Sequence, residues 1–252
     1  MLRSPTILAA LLALASGGCA TPVVAPLQPN TVIVVPGIGG DGGVYAQVVH
    51  ALREAGSQDR LCVFNWGCSW ALFPITLWST GLHHDTERRL AVQITQWQKD
   101  HPGCRIVLIG HSAGAGVILG MLARLDDSTT VGPIILLAPA LSPDFDLRPA
   151  LAHANCIHVF YSSHDWFWQG IGSTLFGGYD GVHRDAAGRK GFILAQLTDD
   201  QKRKVIQHPW QPQWTALGDD GGHFDWMSEP FVAVVLAPII GDTSQSSAAS
   251  RP

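Results

Sequence analysis

Ile106-Val107-Leu108-Ile109-Gly110-His111-Ser112-Ala113-Gly114 is the stretch whose reading decides the fold. Four consecutive apolar residues predict a short strand buried on both faces. Beyond Ser112, Val117, Ile118, Met121, Leu122 and Leu125 recur at helical spacing, so a helix with an apolar stripe follows. Between the two lies a Gly-x-Ser-x-Gly pentapeptide. Alone it is a weak signal: in a chain with 27 Gly, chance supplies about 0.18 copies per shuffled sequence. Its setting discriminates, because a sharp turn from strand to helix lifts a serine clear of the sheet. Gly110 and Gly114 then stand where strand and helix crowd together and a Cβ has no room. The bland alternative is a Gly-rich turn without chemistry.

Outward from this turn, apolar runs alternate with amphipathic patterns, which predicts a three-layer, doubly wound, mostly parallel α/β sheet. The expected strands are 31–35, 61–65, 105–109, 133–137, 156–161 and 214–217. Expected helices cover 44–55, ending at Gly56; a span from a cap at Asp85 to His101-Pro102-Gly103; the span after Ser112; and 229–236. A further helical pattern covers 199–207. In such sheets ligands sit beyond the carboxyl ends of the strands, so the residues just after each strand are the informative ones.

With its strand, elbow and helix in this order, the chain from Thr31 to Leu236 resembles the α/β-hydrolase superfamily in a minimal form of about six strands. That resemblance implies a triad in the order nucleophile, acid, histidine. Ser112 is the expected nucleophile. His223, in Gly221-Gly222-His223-Phe224 after the last expected strand, is the expected base, with His164, His183 and His208 in reserve. Asp165, at the end of Ser162-Ser163-His164-Asp165 after the fifth strand, is the expected acid, against Asp144, Asp146, Asp180 and Asp185. The resemblance also implies two backbone donors for an oxyanion: the Ala113 amide, and one from Pro36-Gly37-Ile38-Gly39-Gly40-Asp41-Gly42. Of these the Ile38 amide is the choice, with Gly39 next. The Lys and Ser/Thr of a phosphate-binding loop are missing from that segment. In this scheme His223 takes the Ser112 proton, an acyl-enzyme forms and water releases it, with no metal or organic cofactor.

The chain has nine Trp, several of them beside these loops. Trp66, Trp166 and Trp226 are expected to contact substrate, with Trp70 and Trp168 nearby, in an apolar cleft suited to acyl or aromatic esters. Packing between loops is the alternative for each. The segment 141–155 is too short for a large cap domain, and 166–213 is either a partial lid or a packed excursion. Carboxylic ester hydrolysis is the leading function. The same triad acting on an amide or thioester or as an acyltransferase, and a non-catalytic binding module on the same fold, are the rivals.

Sixteen basic and 20 acidic residues give a net charge of -4, with no basic run, which excludes the electrostatic footprint of a nucleic-acid binder. Hydrophobic residues make up 46% and charged residues 14%, enough apolar material for one large core. Residues 1–18 read as an export signal: Arg3, a short apolar run from Ile7 to Ala15, then Ser16-Gly17-Gly18 before Cys19. The run is too short to span a bilayer. Small residues before Cys19 resemble the lipobox of bacterial lipoproteins, implying acylation of Cys19 and a membrane anchor; cleavage after Ala15 with simple secretion is the alternative. Residues 19–30 then form a tether, 31–240 the catalytic domain and 241–252 a tail. Cys62, Cys68, Cys104 and Cys156 remain, as disulfides in three possible pairings or as buried thiols.

Overall fold

A computed structural model of the chain describes residues 30–40, 43–67 and 73–241, with 73 and 74 as backbone only. The export signal, Cys19, most of the tether, Cys68, Trp70 and the tail from 242 lie outside the described residues. Six strands form one all-parallel sheet in the order β2-β1-β3-β4-β5-β6. They are β1 Thr31–Val35, β2 Arg60–Val63, β3 Ile106–His111, β4 Ile134–Leu137, β5 Ile157–Tyr161 and β6 Val205–Pro209. Helices cover both faces of this sheet, which makes a three-layer, doubly wound domain.

The period-2 geometry of a strand sends alternate side chains to opposite faces, and both faces are buried. Ile33, Val35, Ile106, Leu108, Leu136 and Val159 pack beneath helices α3 (Thr80–Asp100) and α4 (Ala113–Leu122). Val32, Val34, Val107, Ile109, Leu137 and Phe160 pack on the other side beneath α1 (Val44–Glu54) and the helical run that starts at Glu229. Helix α2 (Phe73–Trp78) lies between β2 and α3 in the chain. Residues 141–155 hold one short helix, Arg148–Leu151, and no cap domain.

Four sequence expectations need correction. The sixth strand is Val205–Pro209, not 214–217. Pro212 opens a 3-10 helix over Pro212–Leu217, and Gly218 at φ 78° closes it. The helix expected over 199–207 stops at Arg203, despite its Thr198–Gln201 capping box, because Val205 to Pro209 pair with the open edge of β5. Asp85 is no cap: Ser79 caps α3, its Oγ accepting from the Leu82 amide at 3.2 Å, and Asp85 sits inside the helix paired with Arg88 and Arg89. Finally, the terminal helical run passes 236 through a π-turn, Val232–Leu236, to Gly241.

After β1 the chain winds outward to β2, then returns to lay β3 on the other side of β1. Successive loops therefore part between β1 and β3, opening a crevice at this switch point. Val35 pairs in register with Gly110, so the loop after β1 and the turn after β3 leave the sheet side by side. Their packing is close: a Cβ on Gly114 would collide with the carbonyl oxygens of Val35 and Pro36. Since the obstruction is backbone at the sheet centre, Gly114→Ala is expected to cost about 3 kcal/mol of stability, measured by urea unfolding. A loss below 0.5 kcal/mol would show that the approach is looser than described.

Candidate active site

Ser112 connects β3 to α4 with φ 54° and ψ -123°, a conformation that costs an L-residue energy and persists only when neighbours enforce it. The enforcement is visible. The Ser112 amide donates to the Leu137 carbonyl at 2.9 Å, and the Ser112 carbonyl accepts from Ala115 and Ala140, both at 3.1 Å. Gly37 completes the fit, for a Cβ there would stand 3.2 Å from Ser112 Cβ.

The structure brings His223 and Asp165 together across 58 residues of sequence. His223 Nδ1 donates to Asp165 Oδ2 at 2.6 Å, with both side chains nearly inaccessible to water. A carboxylate only accepts, so Nδ1 carries the hydrogen and Nε2 is left to take a proton. His164 Nδ1 ties the Asp165 loop to the His223 loop by donating to the Asp220 carbonyl at 2.9 Å, and within the His223 loop Trp210 Nε1 donates to the Asp219 carbonyl at 3.0 Å. Ser112 and His223 line the same cavity. Among the described residues no hydrogen bond joins Ser112 Oγ to His223; such bonds commonly tighten only around a substrate. The other candidate acids are engaged elsewhere. Asp144 pairs with Arg184, Asp146 with Arg148, Asp185 with Arg189 and Lys190, and Asp180 accepts from Ser142. Of the reserve histidines, His208 stacks on Phe160 and His183 contacts the Thr174 carbonyl.

Ala113 is the first residue of α4, where a backbone N–H has no acceptor within the helix. The loop after β1 makes a turn in which the Gly40 amide donates to the Gly37 carbonyl at 3.1 Å. The Gly37 amide is itself committed, donating to the Tyr45 hydroxyl at 2.9 Å. Ile38 lies in this turn and on the cavity wall beside Ala113 and Ser112.

The cavity has a volume of about 600 Å³. Its walls are apolar, built from Leu77, Phe167, Trp168, Ile171, Phe176 and Phe224 among others, and no charged side chain lines it among the described residues. The three Trp expected here are elsewhere. Trp66 is fully buried and donates its Nε1 to the Pro36 carbonyl at 2.8 Å, bracing the loop after β1 from below. Trp226 is fully buried against Phe160, Trp214 and Phe231 in the core. Trp166 is exposed and packs edge-on against Phe167, outside the main cavity. The ring at the site is Trp168, 5.8 Å from the His223 ring. It belongs to a π-helix, Phe167–Gly172, which with Ser173–Phe176 forms one wall, so this part of 166–213 does cover the site. The remainder packs into the domain as helices Ala187–Lys190 and Asp199–Arg203 and strand β6.

Among the described residues no cluster of His, Cys, Asp and Glu could hold a metal ion. Cys62 and Cys104 are thiols rather than disulfides, and burial pushes the Cys62 thiol up to about 11 despite Arg60 nearby, leaving it inert.

No protein-family model and no curated protein matches the chain. Several solved structures are similar to it. The ydeN gene product of B. subtilis is 18% identical over 86% of this chain and 99% of that one, with a TM-score of 0.48. A Trichoderma reesei cutinase in complex with a phosphonate inhibitor is 15% identical over 96% and 93%, with a TM-score of 0.40. A lipase/esterase from Lactobacillus plantarum is 15% identical over 78% and 84%, with a TM-score of 0.47. Likeness at these identities says nothing about substrate.

The loop carrying His223 holds one buried acid. Asp219 is fully buried, its Oδ1 accepting from the Gly221 amide at 2.8 Å and its Oδ2 unpartnered. Burial raises its pKa from 3.8 to about 6; the Gly221 bond opposes this, and Asp225 and Asp220 add to it. Because the folded state holds this proton more tightly than the unfolded chain, wild-type stability falls as pH rises between about 4 and 6. Asp219→Asn removes that titration. The variant is therefore expected to gain stability relative to wild type across this window and show a constant difference above it, by urea unfolding at stepped pH. A difference that does not change with pH would place the proton elsewhere.

Proposed function

We propose that the protein is a serine hydrolase that cleaves carboxylic esters with neutral, apolar acyl groups. The observation that carries this reading is the meeting, in one apolar cavity, of a serine on a strained elbow and an imidazole whose Nδ1 is held by a buried carboxylate at 2.6 Å. Ser112 Oγ attacks the ester carbonyl carbon while His223 Nε2 takes the hydroxyl proton. The resulting oxyanion is stabilised by the Ala113 and Ile38 amides. The tetrahedral intermediate collapses, the alkoxide leaves with the proton from His223, and the acyl group stays on Ser112. Water, deprotonated by His223, then attacks the acyl-enzyme and releases the acid. Asp165 holds the imidazole in the required tautomer and stabilises its charged form.

An apolar wall without charged side chains supports uncharged acyl chains, since a charged group entering it would lose its hydration uncompensated. The export signal extends the proposal: the enzyme acts outside the cytoplasm, held at a membrane by an acylated Cys19. Cys19→Ala is then expected to move the protein from the membrane to the soluble fraction; an unchanged distribution would contradict the anchor.

Hydrolysis of a p-nitrophenyl ester series, with fluorophosphonate labelling, tests the catalytic reading. Ser112→Ala is expected to abolish labelling and lower kcat roughly 10⁶-fold, and Asp165→Asn to lower kcat about 10⁴-fold in a folded protein. Each added methylene buries about 0.8 kcal/mol of apolar surface. The value of kcat/KM should therefore rise roughly fourfold per carbon until the cavity fills. Folded wild-type protein that is neither labelled nor active would favour a binding module, and turnover of amides or thioesters in preference to esters would move the substrate class.

A further inference from the structure

His111, the residue before the nucleophile, is buried and makes two hydrogen bonds that the reaction above does not use. Its Nε2 lies 2.8 Å from the His223 carbonyl oxygen. A carbonyl only accepts, so Nε2 carries the hydrogen. Its Nδ1 lies 2.9 Å from the Tyr45 hydroxyl, which in turn accepts from the Gly37 amide at 2.9 Å. Burial, and after it the neighbouring His223, hold the His111 pKa well below the usual histidine range, although the bond to the His223 carbonyl opposes this. The ring is therefore neutral, and Nδ1 is an acceptor. Every direction in the chain is then fixed: Gly37 N–H to Tyr45 Oη, Tyr45 O–H to His111 Nδ1, and His111 Nε2–H to the His223 carbonyl.

The geometry points to Tyr45 and His111 as positioning residues that hold the oxyanion loop and the catalytic histidine in register about Ser112. This rests on the hydrolase reading given above. One end of the relay fixes Gly37, the residue before the Ile38 amide. The other fixes the backbone of His223, whose ring is fixed separately by Asp165. Ser112 follows His111 directly, so all three parts of the reaction are referred to one buried imidazole. Aligned donors matter most to the tetrahedral oxyanion and little to the bound ester, so loosening the relay should lower kcat and leave KM nearly unchanged.

The test compares full-length wild type with Tyr45→Phe, His111→Gln, His111→Leu and the Tyr45→Phe/His111→Leu double variant. Phe keeps the ring and loses the hydroxyl, Gln keeps a donor for the His223 carbonyl, and Leu removes both contacts of the imidazole. The readouts are kcat and KM on one p-nitrophenyl ester, the fluorophosphonate labelling rate, thermal unfolding, and the ¹⁵N NMR shifts of His111 at pH 7. Expected are a kcat about tenfold lower in Tyr45→Phe and about 100-fold lower in His111→Leu, each with KM within twofold of wild type. His111→Gln should fall between wild type and His111→Leu. The double variant should be no slower than His111→Leu alone, because both substitutions break one relay. NMR should show the neutral ring protonated on Nε2.

A kcat within twofold of wild type in folded Tyr45→Phe, a loss confined to KM, or a proton on Nδ1 would each overturn the proposal. Should His111→Leu fail to fold, Tyr45→Phe and the NMR tautomer decide. Active, labelled wild type with unchanged variants would overturn the relay alone. Inactive, unlabelled wild type with the Nε2–H tautomer would overturn the hydrolase reading, and the relay's catalytic role with it.

Discussion

The positive φ of Ser112 is the constraint on which the rest of the site depends. A residue so placed is held by its surroundings, and here the surroundings are the sheet itself. The Leu137 carbonyl, the Ala115 and Ala140 amides and the bare Cα of Gly37 come from β4, helix α4, the loop after β4 and the loop after β1. Because β1 and β3 are neighbours with Val35 opposite Gly110, the loop that carries Gly37 and Ile38 and the turn that carries Ser112 emerge together. The all-parallel order puts the acid after β5 and the histidine after β6 at the same end of the sheet. A parallel sheet delivers every strand's carboxyl end to one edge, so four separate loops can meet without any of them being long.

Around this polar centre the molecule builds apolar walls. The π-helix Phe167–Gly172 begins two residues after Asp165, and this short distance lets one segment supply both the carboxylate and the aromatic wall. Phe224 follows His223 in the same way, its ring centroid 5.0 Å from the imidazole. Trp78, on α2, donates its Nε1 to the Phe176 carbonyl at 2.9 Å, bridging two segments 98 residues apart in the chain. The aromatic side chains thereby keep the His223–Asp165 pair dry, which strengthens its electrostatics.

The sequence was legible where an apolar run is continuous and opaque where polar residues interrupt it. Strands β1, β3 and β4 are buried on both faces, and β2 and β5 keep enough of an apolar run, Leu61-Cys62-Val63 and Val159-Phe160, for each to be placed to within a residue or two. Strand β6 is an edge strand, and its Val-Ile-Gln-His pattern reads equally as the end of a helix until β5 is seen to need a partner. The pairing of Asp165 with His223 followed from their order after the strands. The cavity walls did not. A Trp that follows a strand can turn into the cleft, as Trp168 does, or down into the core, as Trp66 and Trp226 do, and only the path of the loop decides. Trp66 is captured by the Pro36 carbonyl, an acceptor 30 residues away. Tyr45 and His111 left no readable signal either, because their meaning lies in a contact across 66 residues.

A crystal structure of the protein treated with an alkyl fluorophosphonate would test the account most directly. It predicts phosphorus bonded to Ser112 Oγ, the phosphonyl oxygen within hydrogen-bond distance of the Ala113 and Ile38 amides, and the alkyl chain lying along Trp168 and Phe176. Phosphorus on another residue, or a phosphonyl oxygen turned away from both amides into solvent, would contradict it.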